Sequence, residues 1–125
     1  MARVGYFEGT DPLLLSKLVI EGVETLPVAN NWDGHGKPVN QLSKGEVNVV
    51  IGYLHKVIPT EHARTAMFEV MLKNMFAACK AYGIPVTLIA PGNLVDKAKK
   101  LLGGNVPHVD IVAPEDLEPH IRKYL

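Results

Sequence analysis

Apolar and polar positions fall into blocks whose period switches between two and about 3.6, and the switches mark the elements. The opening block "RVGYFE" (3–8) is short, aromatic-rich and closed by "GTDP", which predicts a strand. Asp11 before Pro12 is a helix-start signal, a side-chain acceptor followed by a residue whose missing N–H costs nothing in the first turn. The run "LLLSKLVIEG" carries that helix to Gly22 as its C-terminal cap. "TLPVA" (25–29) predicts a second strand, which Pro27 places at a sheet edge. After the polar stretch "NNWDGHGKP", "VNQLS" predicts a single helical turn. "EVNVVIGYL" (46–54) is nearly continuous in β-branched residues, as a strand covered on both faces should be.

The longest helix is predicted from Thr60 to about Tyr82. Ala63, Ala66, Met67, Val70, Met71, Met75, Ala78 and Tyr82 recur at spacings of three and four, and Gly83 ends the run. Glu69 and Lys73 form a favourable i,i+4 pair on another side. The Met67, Met71 and Met75 stripe reads as core packing, with a dimer seam as the other use of such a face. "IPVTLIAP" (84–91) predicts a strand, "GNLVDKAKKLL" a helix with Asn93 near its cap, and "VPHVDIVAP" (106–114) a fifth strand. Pro119 predicts a turn over "EDL" and a terminal helix from near Glu118. Strands alternating with helices imply a parallel sheet joined by right-handed crossovers. The expectation is one α/β domain over residues 1–125. It is a three-layer α/β/α sandwich with a mostly parallel five-stranded sheet, in the flavodoxin-like order 2-1-3-4-5 or the Rossmann-like order 3-2-1-4-5.

Composition narrows the partners. A chain of 125 residues with 47% hydrophobic and 21% charged residues can bury a core without metals or disulfides. Thirteen basic and thirteen acidic residues cancel, which gives no support to a nucleic-acid or anionic-membrane surface. Cys79 is the only cysteine, and its apolar helical neighbours make it a small core residue rather than a nucleophile. The start "MARVGYFEGTD" lacks a signal-peptide layout, and no apolar run approaches the roughly 18 residues of a membrane span. A soluble, cytoplasmic protein is expected.

In open parallel sheets ligands bind beyond the carboxyl ends of the strands, near the reversal of strand order. That edge is expected to gather Glu8, Thr10 and Asp11 after the first strand, and Asn31, Trp32, Asp33 and His35 after the second. His55 and Lys56 follow the third strand, with His62 opening the next helix, and Asn93 follows the fourth. The first three loops are the richest in titratable groups. "GYFEGTDP" holds neither G-x-G-x-x-G nor a P-loop, and Asp11 puts negative charge where a helix would receive phosphate. FMN and NAD are therefore disfavoured, and no cofactor is assigned.

"DGHGKP" resembles the start of the D-x-H-x-x-G motif of cobalamin-binding domains through Asp33 and His35. Pro38 stands where that motif has its last glycine, and the stretch follows the second strand rather than the first. "VVIGYLHKVIPTEHAR" resembles the strand–loop–helix entry of lumazine synthases, with Thr60, Glu61 and His62 at the T-x-H spacing. Gly83, Ile84, Pro85 and Val86 match a later strand of that family, but the Phe-Glu substrate loop is lacking before "LPVA". His35, His55, His62, Asp33 and Glu8 show no i,i+4 pair or comparable ligand spacing, so no metal site is assigned. His108 and His120 are expected in surface or satisfied structural roles.

The resulting expectation is a protein that binds a polar small molecule at the C-terminal edge of its sheet, with acid–base catalysis as a further step. His35, His55 and His62 would carry protons. Glu8, Thr10, Asp11, Asn31, Trp32, Asp33, Lys56 and Asn93 would bind the ligand. The alternative is a non-catalytic ligand-binding or assembly subunit that forms homo-oligomers through the 60–82 helix. The stretch "NNWDGHGKP" also has a purely structural reading, as turn-forming residues with Trp32 as a hydrophobic plug.

Overall fold

A computed structural model describes residues 2–29, 36–57, 73–102 and 108–125. The strands are β1 (Arg3–Phe7), β2 (Glu24–Ala29), β3 (Lys37–Pro38), β4 (Val49–Tyr53), β5 (Val86–Ile89) and β6 (Val109–Val112). The helices are α1 (Pro12–Ile20), α2 (Leu54–Val57), α3 (Ala77–Tyr82), α4 (Val95–Leu102) and α5 (Leu117–Arg122). Single 3₁₀ turns occupy Val39–Gln41, Gly92–Leu94 and Pro114–Asp116. The strands form an all-parallel sheet in the order β3-β2-β1-β4-β5-β6, flanked by helices.

All five expected strands are present, and setting β3 aside they stand in the expected 2-1-3-4-5 order. The five-strand count is corrected to six, because Lys37–Pro38 lies in a stretch assigned to a loop. Two residues, one of them proline, carry no periodicity to detect. Their pairing rests on distant partners instead. Lys37 Nζ donates to both oxygens of the Glu46 carboxylate at 2.8 Å, and Glu46 Oε1 also accepts from the Ser43 N–H at 2.8 Å. Just before β3, Gly36 has φ +128°, and a Cβ there would stand 2.8 Å from both C and O of Pro27. Only glycine lets the chain pass so close to β2. Pro27 keeps an edge character: β3 pairs with Val28 and Ala29 alone, so most of β2 has no strand on its outer side among the described residues.

Local signals set most boundaries. Asp11 Oδ1 accepts from the Leu13 N–H at 2.9 Å and caps α1, with Pro12 in its first turn. Gly83, at φ +68°, ends α3 in the left-handed conformation. The unbroken helix expected through residue 82 is corrected at Phe76, where φ −100° and ψ 12° interrupt it before α3. Met75 and Phe76 are both 0% exposed, and burying these consecutive side chains overrides the helical period. Residues 58–72, including Met67 and Met71, lie outside the described residues. Pro119 sits in the first turn of α5, behind the expected preliminary turn.

Alternate residues of the central strands divide between two buried clusters, as the two-residue repeat requires. Val4, Val49, Ile51 and Ile89 pack with Leu14 and Leu18 of α1 and Leu117 and Ile121 of α5. Phe7, Val28, Val50, Val86, Leu88 and Ile111 pack with Met75, Phe76 and Cys79 and with Ala98 and Leu102 of α4. Asn48 closes one end of the sheet: its Oδ1 accepts from the Arg3 N–H at 3.0 Å and its Nδ2 donates to the Tyr124 carbonyl at 3.1 Å. Across α1 and α5, Lys17 meets Glu118 at 2.8 Å and Arg122 meets Glu21 at 2.7 Å. The outer side of α1 stays apolar and open, with Leu13 78%, Val19 56% and Ile20 85% exposed. No helix among the described residues is long and apolar enough to cross a membrane.

Candidate functional site

The chain builds β2 on one side of β1 and β4 on the other, so the strand order reverses between β1 and β4. Tyr6 is paired with Ile51, and the two strands therefore end side by side. The loop Glu8–Asp11 and the start of α2 emerge there, where a parallel sheet leaves a crevice.

Two of the loop's polar groups serve the backbone. Thr10 is buried, and its hydroxyl donates to the Phe7 carbonyl at 2.7 Å, closing a turn that Gly9 enters at φ +88°. Asp11 commits one carboxylate oxygen to the α1 cap and leaves the other to solvent. That carboxylate opposes an anion at the start of α1, as the sequence implies. Glu8 is exposed, and so is His55, whose ring stands 5.9 Å from that of Tyr53 at 43°. Asn93 is exposed in the 3₁₀ turn after β5. A Cβ on neighbouring Gly92 would touch Glu115 Oε1 at 3.6 Å, so the turns after β5 and β6 are in contact.

Glu8, Thr10, Asp11, His55 and Asn93 thus share one edge of the sheet, in the spatial sequence β1, β4, β5. Asn31, Trp32, Asp33, His35 and His62 lie outside the described residues, as does the side chain of Lys56. β2 ends at Ala29 on this same edge, and the described chain resumes at Gly36, with Lys37 paired to Val28.

At the opposite edge lies a feature that sequence reasoning missed. A cleft of about 510 Å³ is lined by Lys73, Asn74, Phe76, Lys80 and His108, and an adjoining one of about 350 Å³ shares Lys80 and His108 with Asn48 and Pro85. The imidazole of His108 stands edge-on to Phe76, 6.3 Å between ring centres. Both its nitrogens are shielded from solvent and lack a hydrogen-bond partner among the described residues. Burial pushes its pKa below the ordinary value; a hydrogen-bonding contribution from the Phe76 backbone opposes this, and the Lys80 charge reinforces it. His108 is therefore half-buried with both ring nitrogens covered, which corrects the surface role. His120 does have a partner, with Nε2 3.2 Å from the Asp110 carboxylate. The rule pointing to strand C-termini hid His108, which stands just before β6.

Among the described residues no three His, Cys, Asp or Glu side chains gather as a metal site would require. No protein-family model matches the chain, and no curated protein matches it in sequence.

Proposed function

We propose that the chain is a three-layer α/β/α domain that binds a polar small molecule in the crevice between the β1 and β4 loops. The observation that supports this reading is the reversal of strand order beside Glu8, Asp11 and His55. In this reading Glu8 and the uncommitted oxygen of Asp11 accept hydrogen bonds from the ligand, and the Asn93 amide orients it. Thr10 holds the loop in shape. His55 is the proton carrier, with His35 and His62 as its proposed partners. Asn31, Trp32, Asp33 and Lys56 complete the binding set.

A thermal-shift screen against polar metabolites tests this, because a ligand that binds only the folded state raises its stability by about 2.7 kcal/mol at a hundred times Kd. His55 is exposed, so His55→Ala should melt close to the wild type while losing the stabilisation given by each hit. Hits that protect His55→Ala fully would place the ligand elsewhere.

One observation favours an assembly role as a second reading, through α1 rather than the 60–82 helix. Leu13 and Ile20 are seven residues apart on one face of α1 with the small Ser16 between them, all exposed. Two antiparallel copies crossing at Ser16 would set Leu13 of each against Ile20 of the other, a self-complementary contact of the kind a two-fold dimer needs. Zero net charge removes long-range repulsion between copies. Sedimentation of wild type and Ile20→Glu is the check: a dimer that dissociates in the variant supports the seam, and a wild-type monomer at high concentration excludes it.

A further inference from the structure

His108 stands at a seam, just before β6 and against Phe76 at the start of α3. The two adjoining clefts share only Lys80 and His108 among their described linings, so these side chains form the partition between them. Lys80 is exposed, whereas both His108 ring nitrogens are covered and the ring packs edge-on against the buried Phe76. Cys79, which is 1% exposed, packs in the same apolar cluster as Phe76 and lines the smaller cleft with His108.

This position tolerates a neutral imidazole and penalises an imidazolium, which carries two N–H donors. The Phe76 backbone is the one described group that favours the charged form, and its carbonyl serves one donor at most. The second N–H would be covered without an acceptor, which costs a charged group its hydration with nothing in return. The surroundings do not offset that cost. The titratable groups lining the clefts with His108 are Lys73 before α3, Cys79 and Lys80 in α3, and Tyr124 after α5. No described lining residue is acidic, and Asp110 of β6 is engaged by His120. Asn48 leads into β4 and is committed to Arg3 and Tyr124, while Pro85 leads into β5 and carries no charge. Burial and the Lys80 charge accordingly hold the His108 pKa below its ordinary value of 6.5.

We propose that His108 is an acid-operated latch between the start of β6 and α3: taking up a proton drives the ring out to water, which removes the partition between the two clefts and uncovers Cys79. The neutral ring seals the seam, and the charged ring leaves it. The open seam binds the proton better than the closed one. Closure is therefore fully favoured above about pH 6.5 and is lost as pH falls from there through the lower folded value, by at most about tenfold in the opening equilibrium per pH unit. The latch lies at the edge opposite the β1–β4 crevice and does not depend on a ligand there.

Two measurements on the whole chain test the latch. By nuclear magnetic resonance, the His108 ring should titrate below 6.5. The second is the rate at which Cys79 reacts with a dipyridyl disulfide, a thiol reagent that works in mild acid, divided by the rate in urea at the same pH. From about pH 7.5 to about pH 5 this ratio should rise several-fold, while far-ultraviolet circular dichroism stays unchanged. The chain has five histidines, so a variant assigns the effect. His108→Phe keeps a ring against Phe76 and cannot titrate, so its ratio should stay flat. His108→Gln removes the same charge change and gives the same reading should the phenyl ring not fit. The latch is overturned if the ring titrates at or above 6.5, or if the wild-type ratio is equal at both ends of the range. It is also overturned if the ratio rises as much in a folded variant, or rises only as the circular dichroism signal is lost.

Discussion

At the scale of single residues, the conformation of Gly36 makes the sharpest demand. Gly36→Ala combines a disfavoured φ with a collision against the Pro27 peptide, so it should cost about 2–4 kcal/mol in urea unfolding. Gly45 has φ +74°, but a Cβ there would meet nothing within 4 Å, so Gly45→Ala should cost only about 1–2 kcal/mol. Equal costs would mean that the close approach to β2 has no energetic weight. Thr10→Val leaves the Phe7 carbonyl without its hydroxyl donor and should cost about 1–2 kcal/mol. Cys79 is 1% exposed, and burial pushes its thiol up to about 11. It should therefore stay inert to a thiol reagent at pH 8 until urea unfolds the chain; prompt labelling of native protein would contradict its core position. The roles of Asp11 and Cys79 were legible in sequence because neighbouring residues decide them. The state of His108 was not, because Phe76 and Lys80, some thirty residues away in the chain, create it.

Among the elements, β3 depends on an ion pair, and that makes it sensitive to acid. The hydrogen bond from Lys37 holds the Glu46 carboxyl below its ordinary value of 4.5, helped by the Ser43 N–H. A folded-state pKa below the unfolded one gives stability that is complete above pH 4.5 and lost as pH falls through the lower folded value. Lys37→Met should flatten this part of the pH profile, measured as urea midpoints from neutral pH down into that range. Glu118 is also held low, by Lys17 and Arg122, but on the open surface. Glu118→Gln should leave the midpoint at neutral pH unchanged within error, since solvent screens such pairs. The long strands were readable because β-branched runs are a property of the segment. β3 was not, since it forms through Gly36 against Pro27 and Lys37 against Glu46, contacts no local window contains. The break at Phe76 has the same origin: periodicity saw one helix, and the core took two consecutive side chains.

For the whole molecule, strand order sets the gradient of stability. β4 lies between β1 and β5, and Val49, Val50 and Ile51 are each 0% exposed, so its amides should be the slowest to exchange with deuterium. Amides around β3 should exchange fastest among the strands, and equal protection across the sheet would contradict this ordering. Fold class was legible because alternation and right-handed crossovers leave few arrangements, but two strand orders stayed open until the long-range pairing of β1 with both β2 and β4 decided between them. The cleft at the N-terminal edge was not legible, because it assembles residues from 48 to 108 that only the fold brings together. The narrowness of β3 has a consequence beyond its own chain. A sheet edge is a template on which another molecule can add a strand, the first step toward aggregation. This edge presents a two-residue strand beside a longer one, with Pro27 and Pro38 each removing an N–H and Lys37 adding charge. It gives an incoming strand little to bond with, which disfavours growth of the sheet from the β3 side.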